Sequence, residues 1–281
     1  MISVVICSRE SKISESLFNS IKEKIGCDYE LIIIDNSETK YTIASAYNIG
    51  LEKSKYDIIC FIHDDIVFHS LNWGIKLFEI FKTDQKIGLV GIAGSRIKTK
   101  TPSSWWENNP KHWVMNLIQH FPERKEIKTI SRGFENSSFE ETVVIDGVFM
   151  GLRKDNCIRF NEKMSAFHNY DQSISIEYLK RDYKIGVTNE ILLEHFSIGT
   201  KNKQWLLSNL NFYNYYSKYL PLAVNSESIK REDKLYNYFI LINNFSKFNL
   251  KFYALKYWFL FFLQKPFSKK HLSILKIIFL N

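Results

Sequence analysis

A chain of 281 residues is long enough for one large domain, or for one domain with an appendage. With 45% hydrophobic and 15% aromatic residues it can fill a sizeable core, which excludes global disorder. The net charge of +8 resides in the tail: no Asp or Glu follows Asp233 but eight lysines do. That asymmetry points to an anionic surface near the carboxyl terminus and away from a nucleic-acid groove around the main site.

The first strand is the β-branched run Ile2–Cys7, stopped by Ser8-Arg9-Glu10-Ser11. No basic region followed by an apolar stretch precedes it, so no signal peptide is visible and a cytoplasmic location is expected. The scattered cysteines Cys7, Cys27, Cys60 and Cys157 form no CxxC pair, which suits reduced thiols better than disulfides or a zinc site. Ile13, Leu17, Ile21 and Ile25 recur every four residues and predict a helix that Gly26 terminates. A second strand, Glu30–Ile34, closes with Asp35-Asn36-Ser37, and a helix over 43–51 follows.

The apolar run Ile58–Ile62 predicts a strand buried on both faces, as a parallel sheet requires. It ends in His63-Asp64-Asp65, at the carboxyl edge where open α/β sheets bind ligands. If the strand continues through the triplet, His63 and Asp65 share a side. A carboxylate with a neighbouring imidazole can hold a divalent cation, and the cation a diphosphate. From the triplet alone, a polar loop after a strand would look the same. Helix Trp73–Phe81 and strand Ile87–Ala93 complete an alternation that predicts an α/β fold with a mostly parallel sheet flanked by helices. No internal repeat is visible.

From Thr99 to Thr142 the periodicity is weak, and the stretch holds Trp105, Trp106 and Trp113 with three prolines. Such a stretch suggests a functional loop, a lid whose Trp faces stack on sugar rings, or satellite packing against the sheet. Strand Val143–Ile145 ends at Asp146-Gly147; Gly147 permits close backbone approach, and Asp146 can bond a ligand hydroxyl or cap the turn. Asp171 falls near the start of a helix predicted over 173–180, where the dipole steadies a carboxylate.

Beyond Gly199 the composition changes, which divides the chain into a domain at 1–200 and a helical, basic, aromatic region at 201–281. Helix Trp205–Tyr219 is halted near Pro221, and Asn225–Asp233 reads as a polar hinge. The apolar run Tyr257–Leu263 is too short to cross a bilayer. Aromatic, lysine-bearing helices without acids suit a membrane interface, so peripheral contact through 234–281 is expected. A helical subdomain packed on the core, or a dimer interface, is the alternative.

The order of several short pieces over residues 1–200 resembles the family 2 glycosyltransferases of the GT-A fold. They are Ser3-Val4-Val5-Ile6, Ile33-Ile34-Asp35-Asn36-Ser37, Ala46-Tyr47-Asn48-Ile49-Gly50, Phe61-Ile62-His63-Asp64-Asp65, Asp146-Gly147-Val148-Phe149-Met150 and Phe167-His168-Asn169-Tyr170-Asp171. The nearest likeness is a bacterial subgroup with His-x-Asp in place of Asp-x-Asp. The resemblance implies that Asp35 reads the donor base, an ordinary turn Asp being the alternative; Ser8 and Arg9 line the nucleotide, and Asn48 either bridges backbone groups or faces the donor. It implies Asp65 as a metal ligand and His195 as a late histidine completing the site for Mn2+ or Mg2+. His63 replaces the first acid and either joins the cation or bonds the donor; Asp64 meets ribose or sugar hydroxyls. Asp146 and Gly147 lie beside the acceptor, and Asp171 matches the general base. Two residues depart from the pattern: Tyr47 stands where the family has Arg, and Tyr170 where it has Glu.

The expected activity is inverting transfer from a nucleoside-diphosphate sugar, a UDP-sugar above all, to a glycan acceptor of the cell surface, possible carriers including a lipid. Two rivals stand beside it. A sugar-phosphate nucleotidyltransferase would carry a Gly-rich, basic loop after the first strand, where Cys7-Ser8-Arg9-Glu10 stands. A non-catalytic sugar-nucleotide-binding protein would not need Asp171.

Overall fold

A computed structural model describes residues 1–135, 137–164 and 167–280 of the chain. The first part alternates β1 (Ile2–Ser8), α1 (Glu15–Lys24), β2 (Tyr29–Asp35), α2 (Ile43–Lys53) and β3 (Ile58–Ile62). Next come β4 (Ile66–Phe68), α3 (Trp73–Thr83), β5 (Ile87–Gly91), β6 (Ala93–Ser95) and β7 (Ile97–Lys98). A hairpin of β8 (Trp113–Phe121) and β9 (Glu126–Arg132) leads to β10 (Phe139–Thr142), β11 (Val144–Ile145) and β12 (Phe149–Arg153). α4 (Tyr170–Leu179), β13 (Lys184–Thr188), β14 (Leu193–His195), α5 (Lys203–Tyr216) and β15 (Leu222–Ala223) follow. The last described elements are α6 (Arg231–Lys247), α7 (Lys251–Gln264) and α8 (Lys270–Leu280).

The main sheet runs β10-β13-β5-β12-β3-β1-β2, with only β12 and β10 opposed to the other five strands. Alternation along its strands supplies a core on each face. Val4, Ile6, Cys60 and Ile62 pack with Leu17 and Ile21 of α1 and Leu77 of α3. Val5, Ile59 and Phe61 point the other way, onto Tyr47 of α2 and Ile174 of α4. All five residues of β3 are buried, as its unbroken apolar run requires. Ser14 caps α1 by accepting from the Leu17 N–H, and Gly26, at φ +76°, follows that helix.

Two sequence expectations need correction. The run Ile87–Ala93 is not one strand: β5 ends at Gly91, and β6 begins a second sheet ordered β11-β6-β8-β14-β4. An apolar run buried throughout carries no mark of the point where the chain changes sheets. Nor is 99–142 irregular throughout: from Trp113 on, β8 pairs with β9 from Met115↔Arg132 to Phe121↔Glu126, while 99–112 carries only short turns. Most of β9 is exposed, so its side chains show little of the alternation that marks a half-buried strand. Asn136, within this stretch, lies outside the described residues, as does Ala166 ahead of the Phe167–Asp171 motif. The segment before β8 is pinned from inside by buried Lys98, whose Nζ donates to Thr101 O, Ser103 O and Ser103 Oγ at 3.1, 2.7 and 2.7 Å.

The carboxyl-terminal helices pack on one another and on α5 through Leu241, Phe245, Tyr257, Phe261, Ile274 and Trp205. Among the described residues, no helix is long and apolar enough to cross a membrane.

Candidate active site

At the carboxyl edge of the main sheet lies a cavity of about 410 Å³. It is bounded by the ends of β1, β3 and β14, the start of α4, and α5.

After Ile62 the chain leaves strand geometry, so the triplet does not simply alternate. Asp64 turns to Arg9 and accepts from its backbone N–H at 2.8 Å and its guanidinium at 2.7 Å. Asp65 Oδ1 lies 3.8 Å from His63 Nδ1 and 3.6 Å from His195 Nε2, while Oδ2 lies 3.3 Å from Arg9. His195 arrives there because β14 pairs antiparallel with β4, matching His195 with Ile66, the residue after Asp65. A separation of 130 positions in sequence thus becomes one side of a small cluster.

The three ligand atoms of His63, Asp65 and His195 lie within 4.8 Å of one another. The hydrogen bonds around His195 also turn one ring nitrogen toward the cluster. Gln119 Nε2 donates to the carbonyls of His120, His195 and Ser197, so its Oε1 must accept the proton of His195 Nδ1, 3.1 Å away. In the neutral ring the Nε2 lone pair then faces Asp65, and Nε2 is buried without a hydrogen-bond partner. His63 Nε2 meets Tyr170 Oη at 2.7 Å, which leaves Nδ1 to face Asp65. Burial, then the neighbouring His195, lowers the His63 pKa and favours the neutral ring that ligates. Burial alone would raise the Asp65 pKa, but a hydrogen bond from protonated His195, one from Ser197 and the charge of the two imidazoles when protonated hold it well below the usual carboxylate range. Two imidazole nitrogens beside one anionic oxygen could hold a divalent cation.

Asp171 stands in the first turn of α4, which begins at Tyr170 rather than at the predicted Ser173 because Asn169, in left-handed conformation, starts it. Asp171 is 8% exposed, and its carboxylate accepts from Gln172 N at 2.8 Å. Burial, then the charge of Asp146, pushes its pKa up to about 7, against the pull of backbone N–H groups. Asp146 accepts from Trp105 Nε1 at 2.6 Å and Val148 N at 2.9 Å, so it caps the turn and anchors an indole. Gly147 leaves room for a neighbour: a Cβ there would overlap the Tyr170 hydroxyl that reaches His63.

Of the residues expected at the site, Arg9, His63, Asp64, Asp65, Trp106, Asp146, Gly147, Asp171 and His195 line this one cavity. Four do not. Ser8 is buried beneath the rim, paired in register with Asp35. Asp35 stands exposed at the end of β2, accepting from Ser37 N and Oγ, while its neighbour Asn36 lines the cavity. Asn48 faces away: it bonds Phe160 through both ends of its amide, at 3.0 and 2.9 Å, and Glu162 at 2.7 Å. Trp105 is buried, so its ring is a prop for Asp146 and no open platform. Trp106 does line the cavity, stacked near-parallel at 15° on Trp205. Trp205, Gln172 and Gln119 were not singled out from the sequence as site residues. Trp205 looked like any aromatic of a packed helix, and no local pattern marks Gln119 as the partner of a histidine 76 positions away.

A parallel-cored α/β sheet with acids and histidines gathered at its carboxyl rim is the architecture of a GT-A-type glycosyltransferase. The chain belongs to the family described as "Glycosyltransferase like family", whose model matches residues 3–224. Among solved structures it is similar to A197 from STIV, at 12% identity and TM-score 0.42, covering 70% of this chain and 86% of that one. It is also similar to GalNAc-T7 solved with UDP, GalNAc and Mn2+, at 11% identity and TM-score 0.49. That likeness covers 83% of this chain and about half, 53%, of the other. No curated protein matches the chain.

Proposed function

We propose that this chain is a metal-dependent, inverting glycosyltransferase that moves a sugar from a nucleoside-diphosphate sugar, a UDP-sugar, to a hydroxyl of a glycan acceptor. The observation that carries the reading is the convergence of His63, Asp65 and His195, their ligand atoms within 4.8 Å of one another, on the cavity that also holds buried Asp171. A divalent cation held by those three side chains would supply positive charge to the leaving diphosphate.

This chain's own groups do the rest. Asp35, at the rim, accepts a base N–H, and Arg9 and Asp64 face the ribose and phosphates. Asp171 takes the proton of the acceptor hydroxyl as its oxygen bonds the anomeric carbon. The bond from that carbon to the diphosphate breaks on the opposite face, the nucleoside diphosphate leaves, and configuration inverts. Trp106, backed by Trp205, offers the acceptor an apolar face. Catalysis is assigned to residues 1–200, with 201–281 as a helical appendage whose Trp205 reaches back into the cavity wall. The acceptor we favour is a lipid-held glycan of surface polysaccharide or lipooligosaccharide assembly, at the inner face of the cytoplasmic membrane.

A thermal-shift screen of nucleotide sugars, with and without Mn2+, tests donor and cation together. UDP-sugars should stabilise the protein only when Mn2+ is present. Equal shifts without the cation would overturn the metal-dependent reading. Asp171→Asn that binds donor but does not transfer would set aside a non-catalytic sugar-nucleotide-binding protein.

A further inference from the structure

The last two helices leave an outward stripe uncovered. In α7, Ala254, Tyr257 and Phe261 face the buried cluster, whereas Phe252, Lys256, Phe259 and Leu263 recur at helical spacing on the exposed side. α8 repeats the arrangement, with Ile274 and Ile278 inward and Leu272, Lys276 and Phe279 outward. In the turn between them Phe267 is 99% exposed, and Lys265, Lys269 and Lys270 stand beside it in sequence, exposed as well. The inward residues form the cluster, and the outer Phe and Leu side chains remain largely exposed, Phe252 meeting only the edge of Tyr253 among the described ring contacts. Large apolar groups gathered on one face and ringed by charge mark an interaction surface.

We propose that this face docks on a bilayer bearing anionic headgroups. Phe267 and the outward Phe and Leu residues enter the interface, while the lysines lay their stems along it and reach the headgroups. The proposal rests on the reading of the chain as a transferase with a membrane-held acceptor, and it names the surface responsible. Charge selects the occupant. Residues 234–281 hold eight lysines and neither Asp nor Glu, so two-fold pairing with a second copy would set lysine against lysine with no acid opposite. A lipid surface of opposite charge meets both halves of the pattern. The docking layer also reaches the site: Trp205 belongs to the cluster under α6–α8, and both it and Trp106, which packs against that cluster, line the cavity.

Sedimentation of the full chain with phosphatidylcholine vesicles, with and without phosphatidylglycerol, tests this. The chain should pellet with the anionic vesicles, not with the neutral ones, and less as salt rises. Phe252→Ser with Phe267→Ser should weaken binding roughly tenfold or more, given the apolar area withdrawn. Lys256→Gln and Lys276→Gln should each cost about fivefold. All four side chains are exposed, so an unchanged melting temperature is the expected control. Absence of binding to anionic vesicles, or undiminished binding by the double Phe variant, would overturn the proposal. So would a concentration-dependent dimer in light scattering that the same variant abolishes, which would give the face to a second copy. The UDP-sugar thermal shift is read on the same samples: its loss with vesicle binding intact would sink the functional reading alone.

Discussion

Asp171 is the residue whose titration should be visible in two independent measurements. Its folded pKa is raised from 3.8 to about 7, chiefly because burial penalises the carboxylate and secondly because Asp146 is near. As a general base it works only when ionised. Transfer should therefore fall tenfold per pH unit below about 7 and level off above it. The stability effect has the opposite sense. A raised acid pKa means the folded state holds its proton more tightly, so the contribution is full below about 3.8 and is lost as pH rises to about 7. The gap of some three units corresponds to on the order of 4 kcal/mol, of which about 3 kcal/mol falls between pH 5 and pH 8. Asp171→Asn carries no charge, so relative to the natural protein it should gain about that much stability over this interval. The assay is denaturant unfolding of both proteins at the two pH values, beside transfer rates across the same range. Donor affinity should survive the substitution while transfer drops roughly a hundredfold to ten-thousandfold. A pH-independent transfer rate, or an Asn variant equally destabilised at both pH values, would refute the assignment of a buried, protonatable base.

Other outcomes follow from the same geometry. Tyr170→Phe keeps the ring but removes the hydroxyl that fixes His63, so Mn2+ affinity by electron paramagnetic resonance should fall about tenfold with little change in melting temperature. Gln119→Ala frees His195 Nδ1 and should weaken Mn2+ binding by about tenfold to a hundredfold; an unchanged isotherm would mean His195 does not ligate. Gly147→Ala forces the Tyr170 ring aside and should lower both the melting temperature and Mn2+ affinity, a pairing that Tyr170→Phe does not share. Trp106→Ala should raise the Michaelis constant for acceptor and spare the donor dissociation constant, whereas Trp105→Phe should act on turnover through Asp146.

Residues that matter through their place at a strand end were legible in the chain. The unbroken apolar run of β3 marks a strand buried on both faces, and the polar triplet that ends it stands at the carboxyl rim, where His63 and Asp65 line the cavity. The tail's basic, acid-free composition was legible in the same way. What was not legible was which face a side chain takes once regular geometry ends. Asn48 and Trp105 sit in segments with the right motif order, yet one amide clamps Phe160 and one indole props Asp146.

Periodicity and composition by themselves determined the alternating α/β order, the main strands and the basic helical end, because each follows from interactions between residues near in sequence. Only the tertiary structure decided the site. The β4–β14 register sets His195 beside Asp65, the Gln119 amide chooses its tautomer, and the close pass of Tyr170 over Gly147 ties α4 to His63. These contacts join residues 76 to 130 positions apart or depend on a missing side chain, and no local pattern encodes such distances.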